Sequence, residues 1–402
     1  MADVIKTGVI GTEALLSTNV KPDVEQVLKV LEPYRKPFSS WLFLNKRKSK
    51  VVNSQYAKFE WFEQHFYPHL TNVTAAISLT GATLILSASN VGNKDIFNLY
   101  DTVIIDETSQ MAYVSSVTGG GGADIILTHM DGSSSLTALT SGTGNIRIIG
   151  TRVFGYHGRI ESKQLQEVNV YNYLNEFVRY VKTDGRQEAG QAYTDGEDHT
   201  GRVQRKIKEM QLEIERYFWW ANNRGYATSG NTRTTYGYGI DGYLSTNVEP
   251  YTGAVTEDGF RGYLRTVMMK GSGKKVHFAN SYQMEDIEKF INDKYTIMQA
   301  PKEMSTFAEF GATAKTFRIF SGTVTLVWDP VLDDTNGTKG AGYTLDEENV
   351  LMRYMAPDKV GSRKMSVRTT TDPDVRGTET EILFDVGIEL DHESTHGKYY
   401  QS

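Results

Sequence analysis

Cysteine is absent from the 402-residue chain, and its absence excludes several chemistries at once. Without a thiol the chain forms no disulfide, binds no zinc through thiolates and has no cysteine nucleophile, and it suits assembly in a reducing compartment. Long apolar runs are also missing. Stretches such as TLILSAS and TVIID are far shorter than the roughly 20 residues that a membrane-spanning helix needs. We therefore expect no membrane partner.

Positive charge is in slight deficit, since 43 lysines and arginines face 49 aspartates and glutamates, for a net charge of −6. This balance argues against a free-standing nucleic-acid binder, although one face can still be locally positive. The first residues, MADVIKTGVIGTEALLST, lack the basic-then-apolar pattern of a secretory leader, so we expect none. The length allows two or three compact units with ample core.

Sequence patterns of catalysis are scarce as well. The segment GSGKKVHF lacks the glycine that a phosphate-binding loop places five positions before Gly273, and it leads into a strand instead of a helix. We expect Lys274 and Lys275 to be turn residues. The glycine-rich stretches at residues 119–122 and 141–144 precede no helix and are also typical of turns. The sequence thus gives no catalytic, cofactor-binding or metal-binding residue and no cofactor, and we expect no enzyme.

One pattern that can carry chemistry lies near the end of the sequence, where His392, Glu393 and His396 spell H-E-x-x-H. In zinc hydrolases this pattern lies on a helix, so that both histidines reach one metal. Residues 381–391 instead alternate apolar and polar side chains with one break at Leu383, which predicts a strand. If the strand continued, the histidines would lie about 13 Å apart, too far for one zinc. We expect a strand end without metal; a zinc hydrolase with an upstream third ligand is the alternative.

The N-terminal half is predicted to be mostly extended. Residues 1–21 form an arm, and a short amphipathic helix begins at Pro22 and ends at Pro33. Short strands separated by turn residues then indicate a small all-β module over residues 69–155, and the flanking extended segments predict a long hairpin. A solvated edge and a contact with an acidic neighbour both stay open for the basic cluster Lys46, Arg47, Lys48 and Lys50.

The C-terminal half mixes helical and strand periods. A helix of about 37 Å is predicted over residues 200–224 and is ended by Gly225. We expect Trp219 and Trp220 to serve core and interface packing. A second helix is predicted near residues 256–270 and a third over residues 281–293. Ser281 is the expected N-cap of the third helix.

The order of these elements resembles that of a tailed-bacteriophage major capsid protein of the Hong Kong 97 type, of the kind with a small β-domain inserted in the extended hairpin loop. The resemblance spans nearly the whole chain and depends on order and spacing more than on one motif. It rests on the segments KFEWFEQ (58–64), NVYNYLNEFVRYVKTDG (169–185), ERYFWWANNRG (215–225), FRIFSGTVTLVWDP (317–330) and ETEILFDVGIELDHESTHGKYY (379–400).

The resemblance implies an α+β fold of the Hong Kong 97 type with an inserted small all-β domain. The implied parts are an N-terminal arm and short helix (1–45), the extended hairpin or E-loop (46–68 and 156–175), the inserted β-domain (69–155), a P-domain (176–254 and 344–402) with its spine helix (200–224), and an A-domain (255–343). It also implies that the H-E-x-x-H segment is the end of a peripheral strand.

The function implied by the resemblance is structural, because the chain would act through contacts with other copies of itself. Copies of the chain would form hexamers and pentamers of an icosahedral shell around double-stranded DNA, with the hairpin lying over the neighbouring subunit. Expected partners are other copies of the chain, non-specific contacts with packaged DNA, and optionally a scaffolding protein, a portal and a decoration protein. The expected localisation is the virion, after assembly in the bacterial cytoplasm. A phage tail or baseplate structural protein is a further alternative.

Overall fold

The computed structural model describes most of the chain beyond residue 36. The predicted arm at residues 1–21, the helix from Pro22 and the cations Lys46, Arg47 and Lys48 lie outside the described residues. The described residues are 37–44, 49–53, 57–66, 68–73, 79–80, 83–86, 91, 94–117, 124–139, 144–152, 165–186, 198–229, 232–294, 314–334, 340–357, 361–371 and 377–402. The chain divides into two compact units, residues 1–61 with 171–402 and residues 62–170.

Helices with described bounds belong mainly to the first unit. They are α1 (Pro37–Leu44), α2 (His199–Trp220), α3 (Ile240–Tyr243), α4 (Glu257–Met268) and α5 (Ser281–Lys294). Shorter 3-10 helices span Lys94–Ile96, Pro330–Asp334 and Glu393–Thr395. Within the described ranges, no helix combines the length and the apolar character needed to cross a bilayer.

Two larger sheets form the frame of the first unit. The five-stranded sheet has the order β1 (Ser49–Val52), β19 (Val350–Met355), β21 (Gly377–Leu390) and β11 (Asn175–Asp184), with β20 (Ser366–Thr371) also pairing with β21. The six-stranded sheet has the order β14 (Val248–Tyr251), β22 (Gly397–Gln401), β18 (Ala341–Asp346), β15 (Lys274–Ala279), β17 (Gly322–Trp328) and β16 (Ala314–Ile319). Because β21 and β22 are consecutive strands in different sheets, the segment between them joins the sheets.

Two strand pairs stand apart from these sheets. Strand β12 (Gly225–Ser229) pairs with β13 (Thr232–Tyr236) in an antiparallel hairpin. Strand β2 (Lys58–Glu63) pairs with β10 (Val168–Tyr173), which is the pairing that the sequence indicates for the two arms of the long hairpin.

The second unit is built on one seven-stranded antiparallel sheet. Its order is β3 (Leu70–Asn72), β9 (Asn145–Thr151), β6 (Asp101–Ile105), β7 (Gln110–Val117), β8 (Ile125–His129), β5 (Thr83–Leu86) and β4 (Leu79–Thr80). Alternate side chains of these strands, including Val103, Val114 and Leu127, are fully buried in a core of their own. The residues predicted as an inserted β-domain, 69–155, lie within this unit.

The main core of the first unit lies between α2 and the five-stranded sheet. Asp198 caps α2 by accepting a 2.9 Å hydrogen bond from the amide of Gly201. The apolar alternation in β21 puts one face of the strand against the helix, and each fully buried aliphatic or phenylalanine side chain there contributes roughly 1.5–3 kcal/mol. The cluster includes Met210, Ile214, Phe218, Ile382, Phe384, Val386, Ile388 and Leu390.

Several sequence-based expectations need correction. Helix α2 ends at Trp220, and Gly225 begins β12 instead of ending the helix. The N-cap of α5 is Asn280, whose side-chain oxygen accepts from the amide of Gln283 (3.1 Å), whereas the hydroxyl of Ser281 donates to Asp333. The reason is that Ser281 already has an acceptor in the 3-10 helix, so its hydroxyl is not turned back to the helix.

Candidate functional site

The H-E-x-x-H segment forms a tight turn between β21 and β22. Strand β21 ends at Leu390, residues Glu393–Thr395 form one 3-10 turn, and β22 begins at Gly397. His392 has φ of 51°, in the left-handed region, which interrupts any regular continuation of the strand. The segment therefore follows a strand end, as expected, and it connects β21 of one sheet to β22 of another.

His396 is fully buried, and both of its ring nitrogens have hydrogen-bond partners. Nδ1 accepts from the amide of Asp346 (3.0 Å), and Nε2 donates to the carbonyl of Asp391 (3.2 Å). Burial, with Lys275 nearby, lowers the pKa of His396 to about 3, so the imidazole is neutral. A metal at His396 would have to displace one of these hydrogen bonds in the core.

Glu393 acts as an anchor for the loop that precedes β14. Its carboxylate accepts from the amides of Ser245 and Thr246, both at 2.7 Å, and from the hydroxyl of Thr246. The side-chain amide of Asn247 in turn donates to the carbonyls of Ser394 (2.8 Å) and His396 (2.7 Å). The carboxylate of Glu393 thus binds the backbone of this loop, and it does not face a water shared with His392 and His396.

A buried ion pair lies against the same turn. The side chains of Lys275 and Asp346 are both fully buried, with Nζ 3.3 Å from Oδ2. Lys275 also donates to the carbonyls of Lys270 (2.9 Å) and Thr395. The expectation of turn residues is wrong for both Lys274 and Lys275, because they are the first two residues of β15; Lys274 is exposed and Lys275 is buried in the core. We call the set Lys275, Asp346, Glu393, Thr395 and His396 the C-terminal joint.

The ionisation of this pair follows from its surroundings. Burial lowers the pKa of Lys275, and the nearby Asp346 opposes that shift. Burial alone would raise the pKa of Asp346, but the amide and hydroxyl of Ser272 and the amide of Glu348 donate to its carboxylate and hold its pKa below the ordinary value. Lys275 and Asp346 are therefore a charged, hydrogen-bonded pair enclosed in the core.

The outward face of β21 carries a row of carboxylates, each paired with a cation from another segment. Glu389, almost fully buried, is paired with Lys50 (3.2 Å) and with Arg353. Asp385 is paired with Arg363 at 3.1 Å; burial raises the pKa of Asp385 to about 6 although Arg363 opposes the shift. Of the predicted basic cluster, Lys50 thus contacts an acidic neighbour.

The paired hairpin strand β2 has two unlike faces. Phe59 and Trp61 are buried, whereas Phe62 is 67% exposed and the nearby Phe66 is wholly exposed. Two phenylalanines open to water within five residues are unusual for a protein that stays monomeric. The resemblance implies that residues 46–68 lie over the neighbouring subunit, but the periodicity of the sequence does not show which side chains of this segment would be covered.

In the part of the chain that the structure describes, Glu393 and His396 of the H-E-x-x-H segment thus help to hold two sheets together. A family model described as SU10 major capsid protein matches residues 9–401. Since the match covers nearly the whole chain, the chain belongs to the SU10 major capsid protein family. The sequence-based prediction of a phage major capsid protein is confirmed, and the protein is a component of the phage shell.

Solved structures similar to the chain are distant from it in sequence. The capsid of an empty GTA particle is 9% identical, with a TM-score of 0.49 and 98% of each chain covered. The structure from Microbacterium phage Oxtober96 is 9% identical, with a TM-score of 0.44, and the match covers 98% of this chain and 99% of that chain. The SrpI encapsulin of Synechococcus elongatus PCC 7942 is 12% identical, with a TM-score of 0.42, and the match covers 58% of this chain and 76% of that chain. No curated protein matches the chain. The family match carries the assignment.

Proposed function

We propose that the chain assembles into hexamers and pentamers of an icosahedral shell that encloses double-stranded DNA. The observation that carries the proposal is the family match over residues 9–401. Shell building requires surfaces that bind other copies of the chain and no catalytic centre, and we propose no enzymatic activity and no cofactor. The hydrogen-bonded state of Glu393 and His396 supports this over the zinc hydrolase.

The proposed contact between copies is made by the hairpin of β2 and β10. Phe62 and Phe66 would be covered by a neighbouring subunit, which removes their rings from water. Each such contact is modest by itself. A subunit held by several contacts at once is nevertheless held strongly, because every later contact forms at high effective concentration.

We further propose how the regions divide the work. Residues 46–68 and 156–175 form the extended hairpin, residues 1–21 form an arm beneath the neighbour within the N-terminal region 1–45, and residues 255–343 face the capsomer axis. Residues 176–254 and 344–402 form the P-domain around α2, which corresponds to the spine helix. The inserted region, residues 69–155, is exposed and contacts neighbours or a decoration protein.

Contacts with DNA are proposed to be non-specific and limited to basic side chains that face inward, since the chain as a whole is acidic. Helix α2 supplies candidates in Lys206 and Lys208, both exposed. A scaffolding protein and a portal are proposed as assembly partners in the cytoplasm of the bacterial host.

Replacing both Phe62 and Phe66 with serine is expected to abolish shells while the subunit stays folded. The reason is that both rings are exposed in the subunit, so their loss leaves the fold intact and removes apolar contact only between copies. Sedimentation velocity and negative-stain microscopy measure assembly, and circular dichroism measures the fold.

The matched control is Glu60→Ser, on the same strand and also exposed. It should assemble like the unchanged protein. Normal shells from the double serine variant would refute the proposed hairpin contact without refuting the shell function, whereas failure of Glu60→Ser as well would point to general damage of the hairpin.

A further inference from the structure

Two carboxyl groups meet in the core of the first unit. Glu215 lies on α2, and Asp329 directly follows β17; both residues are fully buried. Glu215 and Trp219 are four residues apart on one face of α2, and the indole of Trp219 donates to Asp329 (2.8 Å), so both carboxyl groups lie in the same part of the core. Two carboxylates buried close together repel one another, so burial favours a proton held by the pair.

The other donors to the pair are all uncharged. Glu215 accepts from the amides of Phe38 (3.0 Å) and Ser39 (2.6 Å) at the start of α1. Asp329 accepts from the amide of Val331 (2.9 Å) and from the indole of Trp219 (2.8 Å). No donor named here carries a charge that would stabilise a second carboxylate in place of the proton.

Glu215 thereby caps α1 from another part of the chain. The first amides of a helix have no partner within the helix, and Glu215 satisfies two of them. The positive end of the helix dipole also favours negative charge at Glu215, which makes Asp329 the better site for the shared proton. Helix α1 in return covers the pair, with Phe38 packed on Trp219 at 4.6 Å between ring centroids.

Other titratable groups near the pair are directed elsewhere. The sequence of α1, PFSSWLFL, has none. Tyr343 stacks on Trp219, but its hydroxyl donates to Asp241, which also binds Lys398. Asp333, on the 3-10 helix after Asp329, accepts from Ser281 and from the indole of Trp328. On α2, Glu213 is paired with Arg179 at the surface and Arg216 is exposed.

We propose that Glu215 and Asp329 form a proton-linked latch that fastens α1 to the rest of the first unit. The latch goes beyond shell assembly, because it makes the docking of α1 depend on pH.

The sign of the pH dependence follows from burial. Burial raises the pKa of Glu215, and burial together with the charge of Glu215 raises the pKa of Asp329. When α1 undocks, water reaches the pair, and the pKa values of both groups return to the ordinary carboxyl range of about 4. The docked state therefore binds one proton more than the undocked state. Docking is strongest below that range and weakens as pH rises up to the raised pKa of the pair.

Hydrogen exchange of the full chain, followed by mass spectrometry between about pH 5 and pH 8, tests the latch. After correction for the intrinsic exchange rate, protection of a peptide spanning Pro37–Leu44 should fall as pH rises through this window, by up to about tenfold per pH unit for one released proton. Protection of Glu257–Met268 in α4 should stay constant. Equal behaviour of the two peptides would overturn the proposal.

The substitution Asp329→Asn removes the titratable group at this position but keeps the size and shape of the side chain. The amide keeps the shape and polarity of the protonated acid but does not titrate, so the pH dependence of α1 protection should become weaker and retain only the part that Glu215 contributes. Glu213→Gln is the matched control on the same helix and should keep the full dependence. An undiminished dependence in Asp329→Asn would contradict the proposal. If that variant does not fold, the pH dependence of the unchanged chain still decides.

Discussion

Replacing Lys275 with alanine should lower the free energy of unfolding of the unassembled subunit by about 3–5 kcal/mol. The change removes the buried cation from Asp346, whose carboxylate stays fully buried among the donors from Ser272 and Glu348. It also leaves the carbonyls of Lys270 and Thr395 without their donor. Urea unfolding followed by circular dichroism measures the loss.

Lys274→Ala is the matched control for this prediction. Lys274 is the preceding residue of the same strand and is exposed, so its truncation should change the unfolding free energy by about 0.5 kcal/mol or less. Similar small effects of both substitutions would mean that the ion pair at the C-terminal joint is not buried as described.

Trp219→Ala should cost a similar amount, about 3–5 kcal/mol. The indole is fully buried and contacts Phe38 and Phe278, and its ring stacks on Tyr343 at 5.0 Å between centroids. Its truncation opens a large cavity between α1, α2 and the six-stranded sheet, and it removes a donor from Asp329. Unfolding in urea measures the loss.

An exposed aromatic residue provides the comparison. Phe320 is 91% exposed in the turn between β16 and β17, so Phe320→Ala should leave the stability of the unassembled subunit nearly unchanged. If Trp219→Ala were as mild as Phe320→Ala, the description of α2 as the central packing element of the first unit would be wrong.

Elements with strong periodicity were predictable from the sequence. The 3.6-residue period locates α2 and α4 within a few residues of their observed bounds. The apolar alternation before Asp391 likewise identifies β21, because its aliphatic and phenylalanine side chains pack on one face while its carboxylates lie on the other. These features depend on neighbours in sequence, which is why sequence reasoning reaches them.

The C-terminal joint and the carboxyl pair were not predictable in this way. Lys275 reaches Thr395, which is 120 residues further along the chain, and Phe38 reaches Glu215, which is 177 residues away. A lysine in the sequence GSGKKVHF carries no local sign that it is buried, and neither does a glutamate in a charged helix. Their environments are set by tertiary packing, so only the folded chain reveals them.

The H-E-x-x-H segment shows the opposite case, in which the sequence suggests a site that the fold does not form. Its letters suggest a metal site, but the chemistry requires a helix, and His392 in the left-handed region followed by one 3-10 turn does not provide it. The preceding alternation argues correctly against a helix, yet it does not predict that Glu393 and His396 hold the two sheets together.

The most direct test of the central claim is electron microscopy of the purified chain over a range of salt and protein concentration. The chain is expressed alone and together with the proposed scaffolding protein. Our account predicts rings of five and six subunits and closed shells in at least one of these preparations. Uniform monomers in every preparation, or trimeric fibres, would contradict the assignment of this chain as the shell-forming subunit.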